Sequence, residues 1–148
     1  MSEQNTNNFI SFNVTRGVCR LLVDMGYQVI REFKLPSGRR VDVAGLDASG
    51  KFVVVEVKSS PADFLSDRKW QDYLLYCDRF YFSVNAEFPK DILPVDYGLI
   101  IADTFNAVIH RNSPETPING QRRRAQTLRF ARTAAHRLEN FLDPNGSR

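Results

Sequence analysis

Three charged residues stand where charge is expensive. Asp42 interrupts the apolar run RRVDVAGLD, and Glu56 and Lys58 fall inside KFVVVEVK, the most hydrophobic stretch of the chain. An isolated buried charge is so unfavourable that such a group pairs, neutralises or binds a metal. On an extended strand rising ~3.3 Å per residue, Glu56 and Lys58 point to one face about 6.6 Å apart. If the strand carrying Asp42 lies beside theirs, two carboxylates converge on a position suited to Mg²⁺ or Mn²⁺, hard cations that take oxygen ligands. Asp42, Glu56 and the backbone carbonyl of Val57 are the expected ligand set. A cation there would activate a water and offset charge on a phosphate, while the Lys58 ammonium would orient that water or hold the phosphate.

The pattern acid-x-Lys recurs as Glu32-Phe33-Lys34 and as Asp67-Arg68-Lys69. Context separates the three. Glu32 has no upstream aspartate on a neighbouring strand, and Asp67 falls on an expected helix, where residues two apart face away from each other. Glu56 alone follows its aspartate by one strand and a turn. A buried ion pair without chemistry would explain one of these carboxylates better than two.

The elements that must position the trio follow from local pattern. Val14, Val18, Leu21, Leu22 and Met25 have helical spacing over residues 12–25, with Gly26 as a stop and residues 1–11 expected as a flexible N-terminus. YQVIREFKL and RRVDVAGLD read as a hairpin across Pro36-Ser37-Gly38, and the valine-rich KFVVVEVK as a central strand buried on both faces. Ser60-Pro61-Ala62-Asp63 opens a second helix, capped by Ser60 and running to about Cys77. Trp70, Tyr73, Leu74 and Cys77 form its core stripe, and Gln71 lies nearer its polar side. RFYFSV, YGLIIADT and NAVIHRN supply further strands. The expected fold is α/β, a central mixed β-sheet flanked by helices. It comprises a domain over residues 12–112, a loop at 113–120, a helix at 121–142 and a tail at 143–148.

With 148 residues, 43% hydrophobic and 25% charged, the chain fits one folded domain. The opening MSEQNTNN resembles no secretory signal or membrane span, so a cytoplasmic location with no membrane contact is expected. Cys19 and Cys77 lack metal-ligand spacing and read as buried free thiols. His110 and His136 suggest neither a metal site nor a triad.

The net charge of +3 conceals an asymmetry: residues 118–148 hold 7 basic against 2 acidic residues, and the rest of the chain 13 against 15. The last helix can therefore present Arg122, Arg123, Arg124, Arg129, Arg132 and Arg137 to a DNA backbone, or pack as a dimer helix. Arg39 and Arg40, ahead of Asp42, are candidates for flanking phosphate contacts.

Asp42, thirteen intervening residues, then Glu56-Val57-Lys58 on a β-β-β-α-β frame resembles the PD-(D/E)xK nuclease superfamily over roughly residues 12–84. The longer run Glu56-Val57-Lys58-Ser59-Ser60, Asp63-Phe64, Asp67, Lys69-Trp70-Gln71-Asp72-Tyr73 and Tyr76 to Phe82 looks like the MmcB family of bacterial DNA-repair proteins. The resemblance implies a restriction-endonuclease-like core (α-β-β-β-α-β) with extra C-terminal strands and a basic C-terminal helix. It further implies a divalent cation at Asp42 and Glu56, Lys58 as base or water-orienting group, Gln71 as a further catalytic residue, and DNA and DNA-repair proteins as partners. Two features depart from the superfamily: helix one offers Arg16, Arg20 and Asp24 where many members carry a glutamate, and Val41 stands where the proline is usual. The expectation is a metal-dependent deoxyribonuclease acting on structured or damaged DNA in a damage response. The alternative is a DNA-binding or recruitment module that keeps the fold without turnover. Monomer and homodimer both stay open.

Overall fold

Residues 2–145 are described by the computed structural model, and the first element begins almost at once. Helix α1 spans Glu3–Asp24, with the Ser2 hydroxyl accepting the Asn5 amide at 3.1 Å and Glu3 in the positive first turn. The segment 1–11, expected to be flexible, is therefore helical from Glu3; a cap, rather than apolar periodicity, starts the helix. Gly26, at φ +97°, terminates it. Gly17 lets the helix press against the sheet: a Cβ there would lie 2.2 Å from the Asp103 carbonyl oxygen.

The strands are β1 (Gln28–Lys34), β2 (Arg40–Leu46), β3 (Phe52–Val57), β4 (Arg79–Val84), β5 (Gly98–Ala102) and β6 (Ala107–Arg111). Among the described residues they form one sheet in sequence order. β1, β2 and β3 pair antiparallel, β3, β4 and β5 parallel, and β5 and β6 antiparallel, which makes the sheet mixed as expected. Every residue of β3 is buried. On one face Val53, Val55 and Val57 pack with Val14, Val18 and Leu22 of α1. On the other, Phe52, Val54, Phe80 and Phe82 meet Trp70, Tyr73, Ile118 and Phe130. Trp70 anchors this second core, its ring 5.0 Å from that of Phe82 and 5.7 Å from that of Phe80.

The second helix is shorter than its sequence suggests. α2 spans Pro61–Ser66, and a separate 3-10 helix covers Trp70–Tyr76. Asp67 leaves helical geometry (ψ 109°) because its carboxylate is committed elsewhere: Oδ1 accepts the Lys69 amide at 2.9 Å and Oδ2 accepts from Lys58. Helix α3, Gly120–Leu142, is capped by Asn119, whose side chain accepts the amides of Gln121 and Arg122. Of the expected tail, residues 146–148 lie outside the described residues, as does Met1. Both cysteines are buried and free. No described helix is long and apolar enough to cross a membrane.

Candidate active site

The β2–β3 ladder pairs Val43 with Val55, so Asp42 and Glu56 are the next facing residues. There the side chains take over from the ladder. Asp42 Oδ2 accepts the Val57 amide at 2.7 Å, and Glu56 Oε1 accepts the Asp42 amide at 3.0 Å. Each carboxylate thus holds the strand that carries the other. Glu56 is only 5% exposed. Burial, reinforced by the charge of Asp42, pushes Glu56 up to about 9. Burial likewise raises Asp42 to about 6, against the pull of the Val57 amide and of Lys58. Both carboxyl groups are thus held above their ordinary range, Glu56 the further of the two.

Lys58 follows directly on β3, its amide donating to the Ser83 carbonyl at 3.0 Å. At 4% exposure its ammonium is enclosed, and Nζ donates to Asp67 Oδ2 at 2.6 Å. Burial alone would raise Asp67, but the Lys58 hydrogen bond and the amides of Lys69 and Trp70 hold it below the usual carboxylate range. Lys58 and Asp67 line an open cleft of about 460 Å³ together with Arg39, Asp63, Lys69 and Tyr73.

The donor set fits a hard divalent cation. It consists of carboxylate oxygens, two acids held close enough to oppose each other's ionisation, which a countercharge would relieve. No third His, Cys, Asp or Glu gathers with them into a preformed set among the described residues, so water would complete the coordination.

Asp42, Glu56 and Lys58 are thus brought together. Val57 enters the arrangement through its N–H. Gln71 is exposed on the 3-10 helix and does not line the cleft, whereas Tyr73, two residues on, does. Arg39 lines the cleft, paired with Asp72 at 3.0 Å, and Arg40 is exposed at the start of β2.

Helical spacing puts Asp63, Asp67 and Gln71 either at the entrance to the site or in solvent; Asp63 and Asp67 line the cleft and Gln71 does not. Sequence reasoning misses two participants. Tyr73 reads as core from its spacing. Glu32 has no upstream aspartate on a neighbouring strand, but the downstream Asp42 faces it: Glu32 lies between the pairs Arg31–Val43 and Phe33–Val41. Its backbone is left-handed at φ +49°, and its charge adds to the rise at Asp42. The hairpin register across Pro36-Ser37-Gly38 carried that signal.

The arginines of α3 do different jobs. Arg123 donates to both oxygens of Asp78, at 2.5 and 2.8 Å, and to the Gly50 carbonyl at 2.8 Å. Asp78 is buried and also accepts the Phe52 amide at 2.7 Å. Arg123, expected as a phosphate contact, is instead the staple that seats α3 on the sheet. Arg137 also turns inward, donating to the carbonyls of Arg31 and Glu32. Arg122 lies over the Tyr76 ring at 5.0 Å, and the half-buried Arg129 over Phe33 at 5.9 Å. Arg124 and Arg132 are exposed and form no ion pair among the described residues. Lys34, Arg129, Arg132, His136 and Arg137 line a basic groove of about 600 Å³ between α3 and β1.

A family model described as DNA repair protein MmcB-like matches residues 3–145. A solved protein of unknown function from Silicibacter pomeroyi is 44% identical and superposes with a TM-score of 0.89, over 93% of this chain and 94% of that one. A repair endonuclease from Pyrococcus abyssi is similar over 56% of this chain and 37% of its own, with 23% identity and a TM-score of 0.32. No curated relative matches.

Proposed function

The chain belongs to the MmcB-like DNA repair protein family, and on that premise we propose that it is a divalent-cation-dependent deoxyribonuclease built on Asp42, Glu56 and Lys58. The observation that carries the reading is the reciprocal bracing of a buried carboxylate, Glu56, and a half-buried one, Asp42, on adjacent strands, with an enclosed lysine two residues from Glu56. Structure alone has no need of two acids whose charges oppose each other. A site that binds a cation does.

Asp42 and Glu56, completed by the Val57 carbonyl, would hold Mg²⁺ or Mn²⁺. When bound, the cation supplies Lewis acidity, lowering the pKa of water and offsetting phosphate charge. Holding it would require both carboxyl groups to be ionised, against the rise that burial imposes on them. Lys58, fixed by Asp67, then presents an ammonium to the attacking water or to a phosphate oxygen of the DNA in the cleft. Exposed Arg132, with Lys34 in the same groove, and exposed Arg124 on the same helix would hold the flanking backbone through charge, with little sequence preference. A structured or damaged DNA is the proposed substrate.

A second reading is a recruitment module that binds DNA without turnover, acting with DNA-repair proteins. Helix one, which offers Arg16, Arg20 and Asp24 where many members of the superfamily carry a glutamate, and the basic C-terminal helix favour it. Cleavage of labelled single-stranded, duplex and branched DNA with Mg²⁺ or Mn²⁺, with Lys58→Ala run beside the wild type, separates the two. Cutting by the wild type that Lys58→Ala loses supports the enzyme. DNA binding with no cutting in any arm supports the module.

A further inference from the structure

Tyr73 carries a feature that core packing leaves unexplained. Its ring is fixed in the second core: the residue is 8% exposed, sits in the 3-10 helix begun by Trp70, and accepts the Cys77 thiol on its carbonyl at 3.6 Å. Its hydroxyl behaves otherwise. Among the described residues no hydrogen bond is made by that oxygen, and the residue lines the cleft that Lys58, Asp67 and Arg39 also line. The ring is buried but the hydroxyl is not enclosed: it is absent from the buried polar atoms that lack a partner among the described residues, so it opens on the cleft and is free to meet a ligand there.

We propose that Tyr73 is a substrate-contacting residue, its hydroxyl donating a hydrogen bond to a non-bridging oxygen of the DNA phosphate seated beside Lys58. The inference rests on the reading of this cleft as a phosphodiester site. Two observations select an anionic acceptor. The cleft is lined by four basic residues, Arg39, Lys58, Arg68 and Lys69, against two acidic ones, Asp63 and Asp67, and a phosphate oxygen offers acceptor lone pairs only, which match a donor with no partner in the chain. A phenol is an O–H donor throughout the working pH range. Tyr73 thereby fills the place in this cleft for which Gln71, exposed on the same 3-10 helix, had been the candidate.

Tyr73→Phe keeps the ring and removes one oxygen, so packing and contact are separable. Binding of short fluorescently labelled single-stranded and duplex DNA is measured by anisotropy with Ca²⁺, which fills oxygen sites without supporting turnover. Carbon-labelled tyrosine NMR of the full chain follows the Tyr73 ring on DNA addition. The expected result is about tenfold weaker binding by Tyr73→Phe, as for one hydrogen bond to a charged group, with an unchanged Tm and a Tyr73 resonance that moves when DNA binds. Equal affinity in the two proteins, a stationary Tyr73 resonance, or no DNA binding by the wild type would overturn the proposal. Its fate is distinct from that of the nuclease reading: weaker binding by Tyr73→Phe in a protein that never cuts DNA leaves the contact standing and removes the turnover. Cutting that Tyr73→Phe performs with wild-type affinity and rate does the reverse.

Discussion

Asp42 and Glu56 each accept the backbone amide that lies beside the other: Glu56 Oε1 takes the N–H of Asp42, and Asp42 Oδ2 takes the N–H of Val57. This exchange closes the β2–β3 pairing with side chains and forces two carboxylates into one poorly solvated place. The amides stabilise the charged forms, while burial opposes them, joined at Glu56 by the charge of Asp42 and at Asp42 by those of Asp63 and Glu32; the balance lies with the protonated forms. On the proposed reading, a bound cation would relieve that opposition.

Stability without divalent cation should therefore fall as pH rises. Glu56 is raised from 4.5 to about 9 and Asp42 from 3.8 to about 6, so the folded state binds protons more tightly than the unfolded chain. The contribution of each is complete below its unfolded value and is lost as pH climbs through the folded one, with a slope of up to ~1.4 kcal/mol per pH unit per proton. Thermal unfolding followed across this window should show a declining Tm. Glu56→Gln should flatten the decline above the Asp42 titration, and an unchanged slope in that variant would separate Glu56 from the effect.

Affinity for Mn²⁺ should move the opposite way. The ligands must be ionised to bind, so affinity should climb by up to about tenfold per pH unit until Glu56 has titrated. Calorimetric titrations at several pH values should also record proton release. Asp42→Asn should bind Mn²⁺ far more weakly at every pH, and retained affinity in that variant would remove Asp42 from the ligand set.

Asp67→Asn tests whether Lys58 needs its partner. The ion pair is largely enclosed, and Asp67 is what holds the ammonium in place. We expect cleavage to fall by about 10–100-fold, mostly in kcat, with a stability loss of about 1–3 kcal/mol. Loss of stability with an unaltered rate would leave Asp67 a structural role alone.

Neighbouring arginines of α3 should separate cleanly. Arg123→Ala leaves Asp78, whose side chain is 2% exposed, without its countercharge, and should lower the unfolding free energy by about 3–5 kcal/mol. Arg124→Ala with Arg132→Ala should leave urea unfolding unchanged, weaken DNA binding at low salt and reduce the salt slope by about 1–2. A large stability loss in the second pair, or a steep loss of DNA affinity alone in the first, would reverse these assignments.

The trio was legible because charge inside a valine-rich strand violates local expectation, and because strand alternation fixes which side chains share a face. β3 at the centre of the sheet was legible for the same reason. What stayed hidden depended on contacts distant in sequence. α2 stops at Asp67 because Lys58 claims its carboxylate, and periodicity carries no trace of that pairing. Arg122, Arg123 and Arg124 look alike in the sequence; only the position of Asp78 makes Arg123 the staple. Glu32 needed the hairpin register, and the early start of α1 needed weight on Ser2 as a cap rather than on apolar spacing.

Cleavage of end-labelled DNA by wild-type protein and Glu56→Gln, with and without Mn²⁺, decides whether the buried acid is catalytic. Glu56→Gln nearly preserves side-chain volume and can still accept the Asp42 amide, so the fold should hold. The expected result is Mn²⁺-dependent cutting by the wild type that Glu56→Gln lacks. Cutting that survives in Glu56→Gln, or that proceeds equally well without divalent cation, would contradict it.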